Sequence, residues 1–134
     1  MIFLDSSFLV SVEVETDQNH QKAVEIMDKI IKGDFGDPVI SDYIFDETIT
    51  VTFSRTRNIE KTVFVGENLR NSSEFAKIDE RVFEGAWQIF KNQKNTKFSF
   101  TDCTTLALMV KEGIRNIATF DQDFSKIKEI NVVG

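Results

Sequence analysis

The chain has 134 residues, 41% hydrophobic and 28% charged, the size of one domain with a real core and a balance that excludes disorder. Its apolar runs fall far short of the ~18–20 residues of a membrane span, and its single cysteine excludes an internal disulfide. A formal charge of −6 argues on its face against a nucleic-acid partner, an argument that weakens if several acids hold divalent cations and reverse the local sign.

The lone Cys103 fits a reducing compartment, and no basic stretch followed by a long apolar run marks a signal peptide. The sequence therefore predicts a cytoplasmic protein with no membrane partner. Phenylalanine is abundant, with 13 residues against one Trp and one Tyr. That number hints at a self-association surface beyond what one small core hides, and a homodimer is expected.

In chain order, Met1 to Leu4 is a continuous apolar run and reads as a strand buried on both faces. Asp5 ends it, and Ser6 opens a short helix through Glu13. Thr16-Asp17 predicts the N-cap of a helix to about Lys32, with His20, Ala23, Val24, Met27, Ile30 and Ile31 on its apolar face. Pro38 to Ile40 is a short buried strand. Ser41 caps a helix over Asp42–Arg55, and Asn58 caps another that ends near Arg70. Glu74 to Ile78 reads as a strand, and Asp79 caps a helix carrying Val82, Phe83, Trp87 and Phe90. A polar, basic loop spans Lys91 to Lys97. Thr101-Asp102 opens a helix that Gly113 closes. Asn116 to Phe120 is a strand that Asp121-Gln122-Asp123 ends, and Ile130 to Val133 is the last. Five short apolar strands alternating with helices predict one domain, residues 1–134, with a parallel sheet covered on both faces.

In an open α/β sheet, ligands bind beyond the carboxyl ends of the strands. Asp5 and Asp121 end strands there, Asp123 follows, and Asp102 starts a helix. Glu47 falls at the border of its helix's apolar arc, where a glutamate calls for a partner. Singly, Asp102 reads first as an N-cap and Asp121 and Asp123 as turn residues, while Asp5 reads equally well as a turn residue and Glu47 as a surface group. Together they aim at one edge, and gathered carboxylates need positive charge between them. Mg²⁺ or Mn²⁺ fits, since hard cations take oxygen ligands. Two such ions ~3.5–4 Å apart can generate hydroxide and clamp an in-line phosphoryl displacement. Zinc is disfavoured by the single His and single Cys. His20 reads as a packing or capping residue, and Cys103 as a small buried one.

These residues form an ordered set. Leu4-Asp5-Ser6-Ser7-Phe8-Leu9, Ser41 followed by Glu47, Ser99-Phe100-Thr101-Asp102-Cys103, and Ala118-Thr119-Phe120-Asp121-Gln122-Asp123-Phe124 resemble the motif set of PIN-domain ribonucleases, most of all the small VapC-like toxins and stand-alone archaeal PIN proteins. The resemblance implies a three-layer α/β/α fold with sheet order 3-2-1-4-5, and metal-dependent hydrolysis of RNA by one or two Mg²⁺ or Mn²⁺ ions. It places the family's acids on Asp5, Glu47, Asp102 and Asp121, with Asp123 as an accessory ligand. Ser6 matches the small polar residue after the first acid, and Ser99 and Thr101 are candidates to orient Asp102. Two positions depart from the family pattern without touching the ligand set: Ser6 where Asn is also common, and Cys103 where Ala is usual.

On this reading Arg55, Arg57, Lys91, Lys94 and Lys97 draw in the RNA. A protein antitoxin is a further expected partner. A rival reading is a catalytically silent module that pairs with a partner through surface Phe residues. It predicts no metal-dependent turnover on any RNA. A receiver-like signalling domain ranks lower, because its acidic pocket needs two adjacent acids after strand one, and Leu4-Asp5-Ser6 offers one.

Overall fold

A computed structural model describes all residues, 1–134. Five strands and six helices follow in the order β1 (Ile2–Leu4), α1 (Ser6–Glu13), α2 (His20–Ile31), β2 (Pro38–Ser41), α3 (Asp42–Thr56), α4 (Ile59–Ser72), β3 (Glu74–Ala76), α5 (Glu80–Asn92), α6 (Phe100–Glu112), β4 (Asn116–Ala118) and β5 (Asn131–Val133), with a 3₁₀ turn at Gln122–Lys126. All four strand pairings are parallel, and the strand order is 3-2-1-4-5, as the resemblance implies.

β1 is the centre of the sheet. Successive strand residues face opposite sides, yet Ile2, Phe3 and Leu4 are all buried, so helices cover both faces. α1 packs on α2 and α3, α3 on α4, and α5 on α6. Phe3, Phe8 and Phe124 are among the largest fully buried side chains, whereas Phe53, Phe64, Phe83 and Phe90 remain exposed. The abundance of Phe thus divides between core and surface. No helix is long and apolar enough to cross a membrane.

Capping residues set several helix starts where the sequence places them. Ser41 Oγ accepts the Ile44 N–H at 3.1 Å, Asn58 Oδ1 that of Lys61 at 3.0 Å, and Asp79 Oδ1 that of Val82 at 2.8 Å. Gly113 closes α6 in the left-handed conformation, φ 67°, which glycine adopts without steric cost.

α2 differs from expectation. It begins at His20, not after Asp17, because the Asp17 carboxylate is taken by Ser11, by the Asn19 N–H and by Arg55. Its buried face is Ala23, Ile26 and Ile30, while Val24 and Ile31 are exposed. The buried stripe runs through Ile26, which leaves Val24 and Ile31 on the flank. α6 begins one residue earlier than read, at Phe100, because Ser99 is the cap.

Candidate active site

The parallel register decides which side chains meet at the carboxyl edge. Leu4 pairs with Ala118, so the next residues, Asp5 and Thr119, lie side by side. The Asp5 N–H donates to the Ala118 carbonyl at 3.0 Å. Asp5 is 2% exposed. Its Oδ2 accepts from Thr119 Oγ1 at 2.7 Å and from Ser7 Oγ at 2.9 Å. Each hydroxyl gives its one proton to Asp5 and accepts a backbone N–H: Ser7 from Phe120 at 3.1 Å, Thr119 from Asp121 at 3.0 Å. Two hydroxyls therefore tie the first acid to the segment carrying the fourth. The other oxygen, Asp5 Oδ1, is buried without a hydrogen-bond partner.

Glu47 arrives from α3, which Ser41 starts at the end of β2, and its Oε2 accepts from Ser6 Oγ. Asp102 is the third residue of α6 in a reciprocal capping box. Ser99 Oγ accepts the Asp102 N–H at 3.1 Å, and Asp102 Oδ2 accepts the Ser99 N–H at 2.9 Å. Asp121 caps the 3₁₀ turn, with its Oδ1 accepting the Asp123 N–H at 2.9 Å.

All four acids line one open cleft of about 390 Å³, with Ser6, Ser7 and Ser99 in its wall. Among the lining residues Arg55 is the one lysine or arginine. Its Nη1 donates to Asp17 Oδ2 at 2.8 Å.

The electrostatics follow from this crowding. The Asp5 carboxyl is raised from 3.8 to about 6, chiefly by burial and further by the charges of Asp102 and Glu47, against the lowering hydroxyls of Thr119 and Ser7. Asp102 is also raised, first by burial and then by Asp121 and Glu47, against the opposing bonds from Ser99. Both acids thus sit where negative charge is costly and a cation would relieve the cost. Hard oxygen donors and an unpartnered buried carboxylate oxygen fit a divalent ion. No three or more of the chain's acid, His or Cys side chains are drawn together into a ready coordination group, so the cleft is an open acid set and not a closed cage.

Several expected residues lie elsewhere. Asp123 is outside the cleft lining. Its Oδ2 accepts the Lys97 N–H at 2.7 Å and its Oδ1 pairs with Lys126 Nζ at 2.7 Å, so local donors already hold its carboxylate. Thr101 offers its backbone carbonyl to Thr104 and makes no hydrogen bond to Asp102; orienting Asp102 falls to Ser99. Arg57 is the left-handed C-cap of α3 at φ 54°. It lies outside the cleft, as do the exposed Lys91, Lys94 and Lys97. His20 Nδ1 bonds the Ser11 carbonyl at 2.8 Å. Burial, then the Asp102 charge, pushes the Cys103 thiol up to about 11, which leaves it inert.

Ser7 and Thr119 are the contributors that sequence reasoning missed. Ser7 stands inside the Asp5-Ser6-Ser7 motif. Thr119 was detectable only from register, as the residue one past β4 beside Asp5.

A family model described as PIN domain matches residues 2–130. The chain is 28% identical over 127 residues to the "23S rRNA-specific endonuclease VapC20" of Mycobacterium tuberculosis, covering 93% of this chain and 92% of that one. The crystal structure of that VapC20, described as a sarcin-ricin loop cleaving toxin, superimposes with a TM-score of 0.83 at 26% identity, covering 94% of each chain. Two further structures share the fold: VapBC2 from Rickettsia felis bound to promoter DNA (TM-score 0.70, 13% identity, 99% of this chain and 98% of that one) and FitAcB from Neisseria gonorrhoeae (TM-score 0.69, 21% identity, 100% and 97%).

Proposed function

This chain belongs to the PIN-domain family, and from that premise we propose that it is a metal-dependent endoribonuclease, the toxin of a toxin–antitoxin pair. The observation that carries the reading is the convergence of Asp5, Glu47, Asp102 and Asp121 on one cleft, with a buried Asp5 oxygen left unpartnered. Similarity to an RNA-cleaving VapC20 over nearly the whole chain supports the substrate class, and the description of that VapC20 as a toxin supports the toxin role.

Asp5, Glu47, Asp102 and Asp121 would hold Mg²⁺ or Mn²⁺, hard cations that keep several waters and so suit an open acid set. When bound, such an ion acidifies water and offsets charge on the phosphodiester. The chain's own residues do the rest. Thr119 and Ser7 occupy Asp5 Oδ2 and leave Oδ1 for the ion. Ser6 holds Glu47, and Ser99 turns Asp102 towards the cleft. Arg55 is placed to meet a substrate phosphate through guanidinium donors that Asp17 leaves free. In this reading Lys91, Lys94, Lys97 and Arg57 contribute from outside the cleft, and Asp123 acts on the lysine loop, not on the metal. The exposed Phe53, Ile59, Val63 and Phe64 of α3 and α4 offer apolar surface for an antitoxin segment or for the homodimer.

The test is cleavage of RNA by wild type and Asp5→Asn with Mg²⁺, with Mn²⁺ and with chelator. The reading predicts cleavage that needs the ion and Asp5. Equal cleavage by both proteins would refute it.

A further inference from the structure

The surface beside the cleft carries a second arrangement that the four acids do not use. On α5, Phe83, Trp87 and Phe90 are each more than a third exposed and recur at the spacing of one helix face. Trp87 and Phe90 stack, with centroids 5.9 Å apart and planes 14° apart. Phe100, the first residue of α6, closes the row against Phe83 at 5.0 Å and Phe90 at 6.3 Å. Its chain neighbour Ser99, and Asp102 two positions on, line the acidic cleft. Phe100 and Asp102 are about 200° apart around α6 at 100° per residue, so the shelf and the cleft flank opposite sides of that helix's first turn.

Charge is graded along the shelf. Glu80 and Glu84 lie in the first half of α5, while Lys91, Lys94 and Lys97 lie in its last turn and in the loop that leads to Ser99 of the cleft. These three lysines form no ion pair. Their loop is held in shape. Gln93 bonds the Phe98 carbonyl and N–H at 3.0 and 2.9 Å. Asp123 takes the Lys97 N–H, and Lys126 Nζ donates to the Asn95 carbonyl at 2.8 Å. The loop is thereby anchored to the 3₁₀ turn that Asp121 caps.

We propose that this shelf and loop bind the single-stranded segment of the RNA substrate flanking the cleaved bond, with bases stacked on Trp87 and Phe90 and phosphates met by the three lysines. The inference rests on the nuclease reading above and names the substrate-binding surface of the same site. Ring faces accept any base, and unpaired cations beside them supply the phosphate attraction that single-strand sites combine with stacking. An acidic cleft requires such attraction from its margin.

Trp87 is the only tryptophan, so its fluorescence reports on the shelf directly. Full-length Asp5→Asn protein in chelator is titrated with a 12-nucleotide single-stranded RNA. The proposal predicts saturable quenching and at least about fivefold weaker binding on Phe90→Ala, in line with the cost of losing one stacked base. Replacing all three lysines with alanine should flatten the slope of log affinity against log salt by about 2, at ~0.7 per phosphate contact. In otherwise wild-type protein, Trp87→Ala should raise KM for RNA more than it lowers kcat, with an unchanged far-ultraviolet spectrum. Intact cleavage with no quenching and an unchanged KM would overturn the shelf and leave the nuclease reading standing. Quenching without any cleavage by wild type would overturn the nuclease reading instead. Trp87 shielded from acrylamide in a concentration-dependent dimer, with RNA unable to quench it, would assign the face to a second copy and overturn the proposal.

Discussion

Replacing Asp5 with asparagine should make the metal-free protein more stable at neutral pH while abolishing its cleavage. Burial, with the charges of Asp102 and Glu47 and against the hydroxyls of Thr119 and Ser7, holds the Asp5 carboxyl at about 6, up from 3.8, and at 1.36 kcal/mol per pH unit this corresponds to about 3 kcal/mol. The sign follows from proton counting. Between about pH 4 and pH 6 the folded chain keeps a proton that the unfolded chain has released, so unfolding free energy falls as pH rises through that window and is flat above it. Asparagine keeps an oxygen to accept from Thr119 and Ser7 but does not titrate. Its own amide must also be buried, so about 3 kcal/mol is the upper end of the gain. The assay is denaturant unfolding of chelated wild type and Asp5→Asn at several pH values from 4 to 8. The remaining raised or lowered groups, among them Asp17, lowered chiefly by Arg55, and Asp102, occur in both proteins and largely cancel in the difference. The variant should gain on wild type as pH rises, reaching up to about 3 kcal/mol, or roughly 10 °C in Tm, by pH 7.5. A difference independent of pH, or a variant that falls further behind as pH rises, would refute the electrostatic account of Asp5.

Three further outcomes follow from the same contacts. Thr119→Val removes the donor to Asp5 and the acceptor for the Asp121 N–H, so it should cost about 1–3 kcal/mol and lower cleavage at least tenfold, whereas Thr119→Ser should restore both. Because the Thr119 bond lowers the Asp5 pKa, the acid limb of the Thr119→Val rate profile should move to higher pH. Arg55→Ala should raise KM for RNA several-fold with a smaller effect on kcat, and Arg55→Lys should recover only part of the loss, which steady-state kinetics at two salt concentrations would show. Native Cys103 should resist thiol reagents at pH 7.5 and react only on unfolding, as followed by mass spectrometry, since it is fully buried and pushed up to about 11.

The features legible in the sequence are local ones. A continuous apolar run ending in Asp5 has one sensible reading, a strand buried on both faces that delivers a carboxylate to its end. Ser41, Asn58 and Asp79 declare helix starts because an N-cap acts within three residues. The hidden features depend on chain segments far apart in sequence. Thr119 and Ser7 act on Asp5 only through the register of β1 with β4. Asp17 resembles an N-cap until Arg55, 38 residues away, claims it. Asp123 looks like one more acid at the strand end until the Lys97 N–H and Lys126 occupy it. By spacing the apolar face of α2 runs through Val24 and Ile31, because periodicity alone does not say which of two overlapping stripes meets the core.

If the carboxylates around Asp5 act together on a divalent ion, thermal unfolding and RNA cleavage followed in one Mn²⁺ titration of wild type and Asp5→Asn will show it. Mn²⁺ should raise the wild-type Tm over the concentrations that switch on cleavage, with neither response in the variant. Cleavage by wild type that persists in chelator, or the same Mn²⁺ stabilisation in both proteins, would contradict it.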